Sequence, residues 1–349
     1  MNISLCMIVK DEEMNLKKCL QSVVSFVDEI IIVDTGSTDK TKDIAKDFTE
    51  KIYDFDWCND FAKARNFSLE KANNDWILVL DADEVVADFK KKELAKYIGG
   101  NDRTVGRIKR INIFEDNIGS KRYIERVNRV FNKKHYHYEG IIHEQIISKN
   151  KQNYKIINVD IIADHIGYTK EVIKNTDKIN RNLKLLKESI KKNDKDPYLY
   201  YQLGKTYYMD KRYEDAYGNF VKALNLDIDT KYEYVQDLVE SYGHALINTE
   251  RYKKALELET YDYFYKEIID YKFLMGLIYM NNGLFEKSVN SFISCIGDKE
   301  GKIEGLNSYL AYYNIGVIYE CLGFIEEGIY YYQKCENYEP AKKRIDNLK

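Results

Sequence analysis

Two kinds of hydrophobic patterning divide the chain. Up to about residue 165 short apolar runs alternate with stripes of helical period, and from about residue 196 every segment has helical period and the segments repeat. In the first part Ile3 to Val9 reads as a buried strand, and Leu16, Leu20, Val23, Val24 and Val27 follow at helical spacing. Glu29 to Val33 is a second strand ending at Asp34, and Thr35-Gly36-Ser37-Thr38-Asp39 is a turn rich in N-cap residues. A helix with Thr41, Ile44, Ala45 and Phe48 inward is expected next, then a short strand from Lys51 to Phe55. Asp60 is placed to cap a helix through Ala62, Ala64, Arg65 and Leu69. Trp76 to Leu80 is an unbroken apolar run, the mark of a strand buried on both faces of a parallel sheet. Strand and helix alternating in this way predict right-handed crossovers and a doubly wound α/β sheet. Ligands of such sheets bind beyond the carboxyl ends of the strands.

The chemistry of the first part gathers at those ends. Asp81-Ala82-Asp83-Glu84 closes the fourth strand. On an extended chain Asp81 and Asp83 point the same way, and paired carboxylates are costly to desolvate unless a cation shares them. A divalent ion bridging to phosphates fits; the alternative is a solvated acidic loop. No Gly-x-Gly-x-x-Gly follows the first strand and no Gly-x-x-x-x-Gly-Lys-[Ser/Thr] is present, which disfavours a dinucleotide oxidoreductase or a P-loop phosphohydrolase.

Residues 104–165 read as further strands: Val105 to Phe114, Asn128 to Asn132, Tyr136 to Ile147 and Lys155 to Ala163, a mixed and antiparallel completion of the sheet. Four of the five histidines fall here. His135 and His137 belong to an exposed turn or strand edge. His143 and Glu144 are adjacent, so within a strand they face opposite sides and only one points into a site. A general base must lie within hydrogen-bond reach of the nucleophile it deprotonates, and a carboxylate suits that role, so Glu144 is the candidate base. His143 then positions a phosphate or the second substrate, or satisfies a buried hydrogen bond.

In the second part Tyr200, Leu203, Gly204 and Tyr207, then Tyr213, Ala216, Phe220 and Ala223, match a tetratricopeptide repeat. Further copies centre on Gly276 and Gly316, the last closing at Pro340, and a degenerate one on Gly243. The anchor glycines are 39, 33 and 40 residues apart, so the first and last intervals carry insertions relative to a 34-residue repeat. Many of the 31 tyrosines, those at the motif positions, are therefore expected to be core rather than a sugar-binding stripe. Stacked repeats form a concave surface whose usual work is binding a peptide or protein.

Composition narrows the partners. With 349 residues the chain is too long for one ordinary core. A net charge of −3 gives no support for nucleic acid, and no apolar run approaches the ~20 residues of a membrane helix. Six cysteines without a Cys-x-x-Cys suggest free thiols in a reducing, cytoplasmic setting. No cleavage pattern of a signal peptide is seen at the N-terminus.

The ordered segments Ile8-Val9-Lys10-Asp11-Glu12-Glu13, Val33-Asp34-Thr35-Gly36-Ser37-Thr38-Asp39, Ala62-Lys63-Ala64-Arg65-Asn66 and Leu80-Asp81-Ala82-Asp83-Glu84 resemble family 2 inverting glycosyltransferases of the GT-A fold. Arg129-Val130-Phe131, Tyr138 to Glu144 and His165 to Tyr168 also resemble that family. The resemblance implies that Val9, Lys10, Asp34 and Arg65 line the nucleotide pocket. It implies that Asp81 and Asp83 face ribose, diphosphate and Mn²⁺ or Mg²⁺, with His165 as a further metal ligand. The expected fold is an α/β GT-A domain over residues 1–168, a helical connector over 169–195 and an all-α tetratricopeptide-repeat superhelix over 196–349.

This domain order is similar to that of peptide S-glycosyltransferases of the sublancin type and of related protein O-glycosyltransferases. The resemblance implies transfer of glucose or N-acetylglucosamine from a UDP-sugar to Cys, Ser or Thr of a peptide or protein. A cell-surface glycan or lipid-linked acceptor is the alternative within the enzyme class. A repeat scaffold with an inactive nucleotide-binding domain is the alternative outside it. Self-association as a homodimer is compatible with the repeats.

Overall fold

In the computed structural model, which describes residues 2–98, 102–115, 120–152, 154–168 and 176–348, the chain forms two units. One comprises Met1–Glu115 with Arg122–Thr176, and the other contains Asp177–Lys349. The strands of the first unit are β1 (Ile3–Val9), β2 (Glu29–Asp34), β3 (Ile52–Asp54), β4 (Trp76–Val79) and β5 (Glu84–Phe89). They continue as β6 (Thr104–Glu115), β7 (Ser120–Asn132), β8 (Tyr136–Glu139), β9 (Gln145–Ser148) and β10 (Lys155–Tyr168). Among the described residues the main sheet has the order β3-β2-β1-β4-β7-β6-β10-β5, and β8 and β9 form a separate hairpin. β3, β2, β1 and β4 are parallel, so the chain leaves β1 to one side for β2 and β3 and returns to its other side for β4. That reversal opens a crevice at the carboxyl ends of β1 and β4, the usual ligand position in open α/β sheets.

The apolar runs have no polar face because both faces of the sheet are covered. Ile3, Leu5, Met7 and Val9 of β1 pack with Leu16, Leu20 and Val23 of helix α1 (Leu16–Val23) and with Leu94 of helix α4 (Lys91–Ile98). From the opposite face Cys6, Ile31, Val33, Ile77 and Val79 pack with Ala62 and Leu69 of helix α3 (Phe61–Lys71) and with Tyr136, Tyr138 and Ile146 of the hairpin. Helix α2 (Thr41–Lys46) buries Thr41 and Ala45. Asp60 caps α3, accepting a hydrogen bond from the Lys63 amide at 3.0 Å.

Three expectations are corrected. Asp81 to Asp83 is a turn, closed by the Glu84 amide donating to the Asp81 carbonyl at 3.0 Å, so Asp81 and Asp83 do not share one face of a strand. Glu84 then begins β5, which pairs antiparallel with β10. Tyr136 to Ile147 is not one strand: residues 140–144 are a loop between β8 and β9, with positive φ at Gly140 (101°) and His143 (50°). His143 and Glu144 are therefore loop residues, not strand neighbours on opposite faces. The added strands are also longer than expected, reaching Ser120–Asn132 and Lys155–Tyr168, while their pairing is mixed as expected: β10 runs parallel to β6 and β7 antiparallel to β4.

The second unit is helical. Helix α5 (Thr176–Lys192) buries Leu183, Leu185 and Leu186, whereas Ile173 of the expected connector lies outside the described residues. Antiparallel pairs follow, such as Pro197–Met209 with Tyr213–Leu224 and Tyr309–Cys321 with Ile325–Gln333. The anchor glycines exist for close approach. A β-carbon at Gly204 would lie 2.5 Å from the Phe220 ring, and one at Gly316 2.6 Å from Tyr332. Gly276 stands in the same relation to Phe292, whereas Gly243 faces Leu274 and Leu258. That degenerate copy has a broken second helix, Tyr252–Ala255 followed by a 3₁₀ turn over Leu256–Tyr261. Tyr201, Tyr207, Tyr271 and Tyr332 are buried, so these tyrosines are core residues.

Candidate active site

The loops after β1 and β2 are stitched together at the crevice. Ser37 Oγ accepts from the Asp11 amide at 2.9 Å, and Asp11 Oδ1 accepts from the Thr38 amide at 2.7 Å. The Val9 carbonyl accepts from both the amide and the hydroxyl of Thr35, and Lys10 is exposed beside it. Asp34 is fully buried at the end of β2. Its Oδ1 accepts from the amides of Gly36 (3.0 Å) and Ser37 (2.8 Å), while its Oδ2 is buried with no partner among the described residues. A buried carboxylate oxygen without a donor is costly, and a ligand hydroxyl or N–H would satisfy it.

Beyond β4 a continuous chain of charges crosses the site. Arg65, from the first turns of α3, donates through Nε to Glu144 Oε1 at 2.5 Å and through Nη2 to Asp81 Oδ1 at 2.7 Å. The other oxygen of Asp81 accepts from Arg129 Nη2 at 2.5 Å, and the same nitrogen reaches Glu84 Oε1 at 2.7 Å. Arg110 joins Glu84 (3.0 Å) to Glu125 (2.6 Å). Asn112 donates to Glu125 Oε1 at 2.7 Å, and its Oδ1 meets His165 Nδ1 at 2.6 Å. His165 Nε2 finally lies 3.1 Å from Asp83 Oδ2. Burial pushes the Asp81 carboxyl up, but Arg129 and Arg65 overcome it and hold Asp81 well below the usual carboxylate range. Cys19, beneath this turn, has its thiol raised by burial and by Glu84 and Asp81, so it is no nucleophile.

The hairpin is docked on α3 by hydrogen bonds from the backbone. The Phe61 amide donates to the Ile141 carbonyl at 2.9 Å, and Asn66 brackets the backbone of Tyr138. Arg65, next to Asn66, therefore meets Glu144, and its guanidinium lies 5.6 Å from the centre of the Tyr138 ring. Glu144 Oε2 accepts no hydrogen bond among the described residues, which leaves one oxygen of this carboxylate to take a proton.

The sequence-selected residues thus fall into two groups around one crevice. Val9, Lys10 and Asp34 flank β1 and β2; Arg65, Asp81, Glu144, Asp83 and His165 follow along the charged chain. Both oxygens of Asp81 accept from guanidinium groups, so Asp81 anchors Arg65 and Arg129. Among the described residues no group of three or more His, Cys, Asp or Glu could hold a metal. Asp83 and His165 alone still suit a divalent cation that takes its remaining ligands from phosphate and water. Their side chains meet at 3.1 Å, so the two would hold one such ion together.

Arg129, Arg110, Glu84, Glu125 and Asn112 were not foreseen in the site. The available signal was polarity inside strands: Arg129 precedes the fully buried Val130 and Phe131, and Arg110 and Asn112 interrupt β6. An arginine in such a place needs a carboxylate partner, but the partner's identity is a matter of tertiary packing.

Residues 4–175 match the family described as Glycosyl transferase family 2. A TPR repeat-containing protein of Synechococcus elongatus is 32% identical over 210 residues, covering 58% of this chain and 51% of the relative. The SPbeta prophage-derived glycosyltransferase SunS of Bacillus subtilis is 29% identical over 231 residues, covering 62% of this chain and 52% of SunS. The chain thus spans about half the length of these curated relatives. The crystal structure of MamA overlays 50% of this chain and 97% of its own at 22% identity, with a TM-score of 0.40. The mixed α/β first unit, matched over residues 4–175, is thus a glycosyl transferase family 2 domain, with tetratricopeptide-type helical repeats following.

Proposed function

We propose that the chain is an inverting glycosyltransferase that moves a hexose from a UDP-sugar to a Cys, Ser or Thr side chain of a peptide or protein. The observation that carries this reading is Arg65, one buried guanidinium bonded to both Asp81 and Glu144. It ties the carboxyl end of β4, where a nucleotide diphosphate belongs, to a carboxylate with one oxygen open to a proton. Asp34, with its unpartnered Oδ2, would take a hydroxyl or N–H of the nucleoside. Val9 and Lys10 would line the same pocket.

In this reaction the acceptor O–H or S–H gives its proton to Glu144 Oε2 as its heteroatom attacks the anomeric carbon. The bond from that carbon to the UDP oxygen breaks, and the electron pair leaves on the phosphate. Asp83 and His165 would hold Mg²⁺ or Mn²⁺, which when bound supplies positive charge for the departing diphosphate. Asp81 keeps Arg65 and Arg129 in place, and His143 shapes the loop that presents Glu144. A peptide acceptor is favoured by the helical repeats, because stacked helix pairs present an extended surface of the kind that binds chain segments.

Thermal unfolding of the full chain with UDP, GDP, UDP-glucose and UDP-N-acetylglucosamine, each with and without Mn²⁺, tests the donor. A ligand bound only by the native state raises stability as RT ln(1 + [L]/Kd). A Mn²⁺-dependent rise with a UDP-sugar is expected. No rise with any nucleotide would count against transferase chemistry.

A further inference from the structure

The metal-side residues form a closed ring. Asp83 is followed by Glu84, whose Oε1 accepts from Arg110 Nη1 at 3.0 Å; Arg110 grips Glu125 Oε1 through Nε (2.8 Å) and Nη2 (2.6 Å). Glu125 Oε1 accepts from Asn112 Nδ2 at 2.7 Å, Asn112 Oδ1 meets His165 Nδ1 at 2.6 Å, and His165 Nε2 returns to Asp83 Oδ2 at 3.1 Å. Asn112 and His165 are both buried, at 3% and 7% exposure.

The ring dictates where protons sit. A carboxylate gripped by a guanidinium only accepts, so the amide nitrogen of Asn112 must face Glu125. The Tyr123 carbonyl, 3.4 Å from the same nitrogen, asks for the same orientation. Asn112 therefore turns its carbonyl oxygen to His165, and Nδ1 must carry the ring hydrogen. With its hydrogen on Nδ1, a neutral ring presents the Nε2 lone pair to Asp83 Oδ2 at 3.1 Å, and a cation taken up there would be held by both groups.

We infer that Asn112 is a positioning residue: through its Glu125-fixed amide it holds His165 in the Nδ1–H form, so that Nε2 and Asp83 together take a divalent cation. The inference rests on the donor reading above and adds to it a residue that touches neither metal nor sugar. Second-shell partners of metal-bound histidines typically change affinity by about 10–100-fold.

The test is a Mn²⁺ titration of the full chain at saturating UDP, followed by calorimetry, alongside UDP affinity without metal. N112L should weaken Mn²⁺ by about 10–100-fold and leave metal-free UDP affinity unchanged. N112D alone sets two carboxylates against each other and should also be weak. The double variant N112D/E125Q moves the carboxylate to position 112, keeps an acceptor for Nδ1–H, and should recover Mn²⁺ binding. Long-range ¹⁵N spectra of histidine-labelled wild type at pH 8 should show His165 with its hydrogen on Nδ1. Unchanged Mn²⁺ affinity in N112L, failure of a folded double variant to recover, or a hydrogen on Nε2 would each overturn the inference. UDP binding that gains nothing from Mn²⁺ sinks this inference alone, and a chain that binds no UDP sinks the donor reading with it.

Discussion

Asn66 and Tyr138 form a two-way bridge: Asn66 Nδ2 donates to the Tyr138 carbonyl at 2.9 Å, and the Tyr138 amide donates to Asn66 Oδ1 at 2.8 Å. A side-chain amide thus takes the place of a neighbouring strand, and the hairpin that carries Glu144 is registered against α3, which carries Arg65. Removing the amide leaves both Tyr138 backbone groups without these partners. Asn66→Ala should therefore loosen the hairpin. A shift of about 1 Å at the base can cost roughly 100-fold in rate, so turnover should fall by about that much while UDP affinity holds. A steady-state assay with UDP titration checks both.

Glu144→Gln keeps an acceptor for Arg65 Nε but removes the proton acceptor. Donor binding should persist and transfer should fall by about 10²–10⁴-fold, the usual worth of a general base. Transfer close to the wild-type rate would show that another group takes the proton.

Asp83→Ala removes one of the two donors that face each other at 3.1 Å. Binding of UDP should lose its dependence on Mn²⁺ while the unfolding temperature of the ligand-free chain stays nearly constant. Wild-type-like Mn²⁺ dependence would place the cation elsewhere.

In the repeats the Phe220 ring occupies the space where a Gly204 side chain would be. Gly204→Ala should cost about 1–3 kcal/mol, as overpacking usually does. Adding Phe220→Leu should return part of the loss. Urea denaturation of the single and double variants measures the coupling, and strict additivity would show that the two sites do not touch.

Lys302, in the insertion of the last repeat interval, bonds through Nζ to Asp237 (3.1 Å) and Glu240 (2.9 Å), and its amide donates to Asp270. Burial raises the Asp237 carboxyl, but Lys205 and Lys302 outweigh it and hold Asp237 far below its ordinary value. A lowered folded value means stability that is complete above the unfolded value of about 3.9 and is lost as pH falls further. Burial leaves Glu240 and Asp270 raised, so they oppose folding as pH climbs through their range. Lys302→Met should cost about 3 kcal/mol at pH 7, since Asp237 keeps Lys205 but the buried Glu240 and Asp270 lose their cation. The cost should shrink at pH 4, where Glu240 and Asp270 take up protons. Denaturation midpoints at the two pH values check the sign.

Legibility in the sequence followed the range of the interactions. The parallel strands β1, β2 and β4, helix α3 with its Asp60 cap, and the anchor glycines were readable because period, capping and small-residue spacing are local. The carboxylates at the strand ends were readable because the sheet topology forces them to one edge. The fate of Asp81 was not, since its partners Arg65 and Arg129 lie 16 and 48 residues away. The His143–Glu144 loop was misread as strand because the β-branched Ile141-Ile142 and Ile146-Ile147 flank it, and only Gly140 hints at a break.

By itself the sequence determined which elements form and which chemistry gathers at the crevice: hydrophobic period sets each element, and alternating strands and helices set the side on which ligands bind. Only the tertiary structure decided which carboxylate meets which cation. Ion pairs and side-chain amides act over about 3 Å between segments far apart in sequence, and no local pattern records their geometry. Asp81 thus became an anchor for two arginines, while Asp83 and His165 were brought face to face.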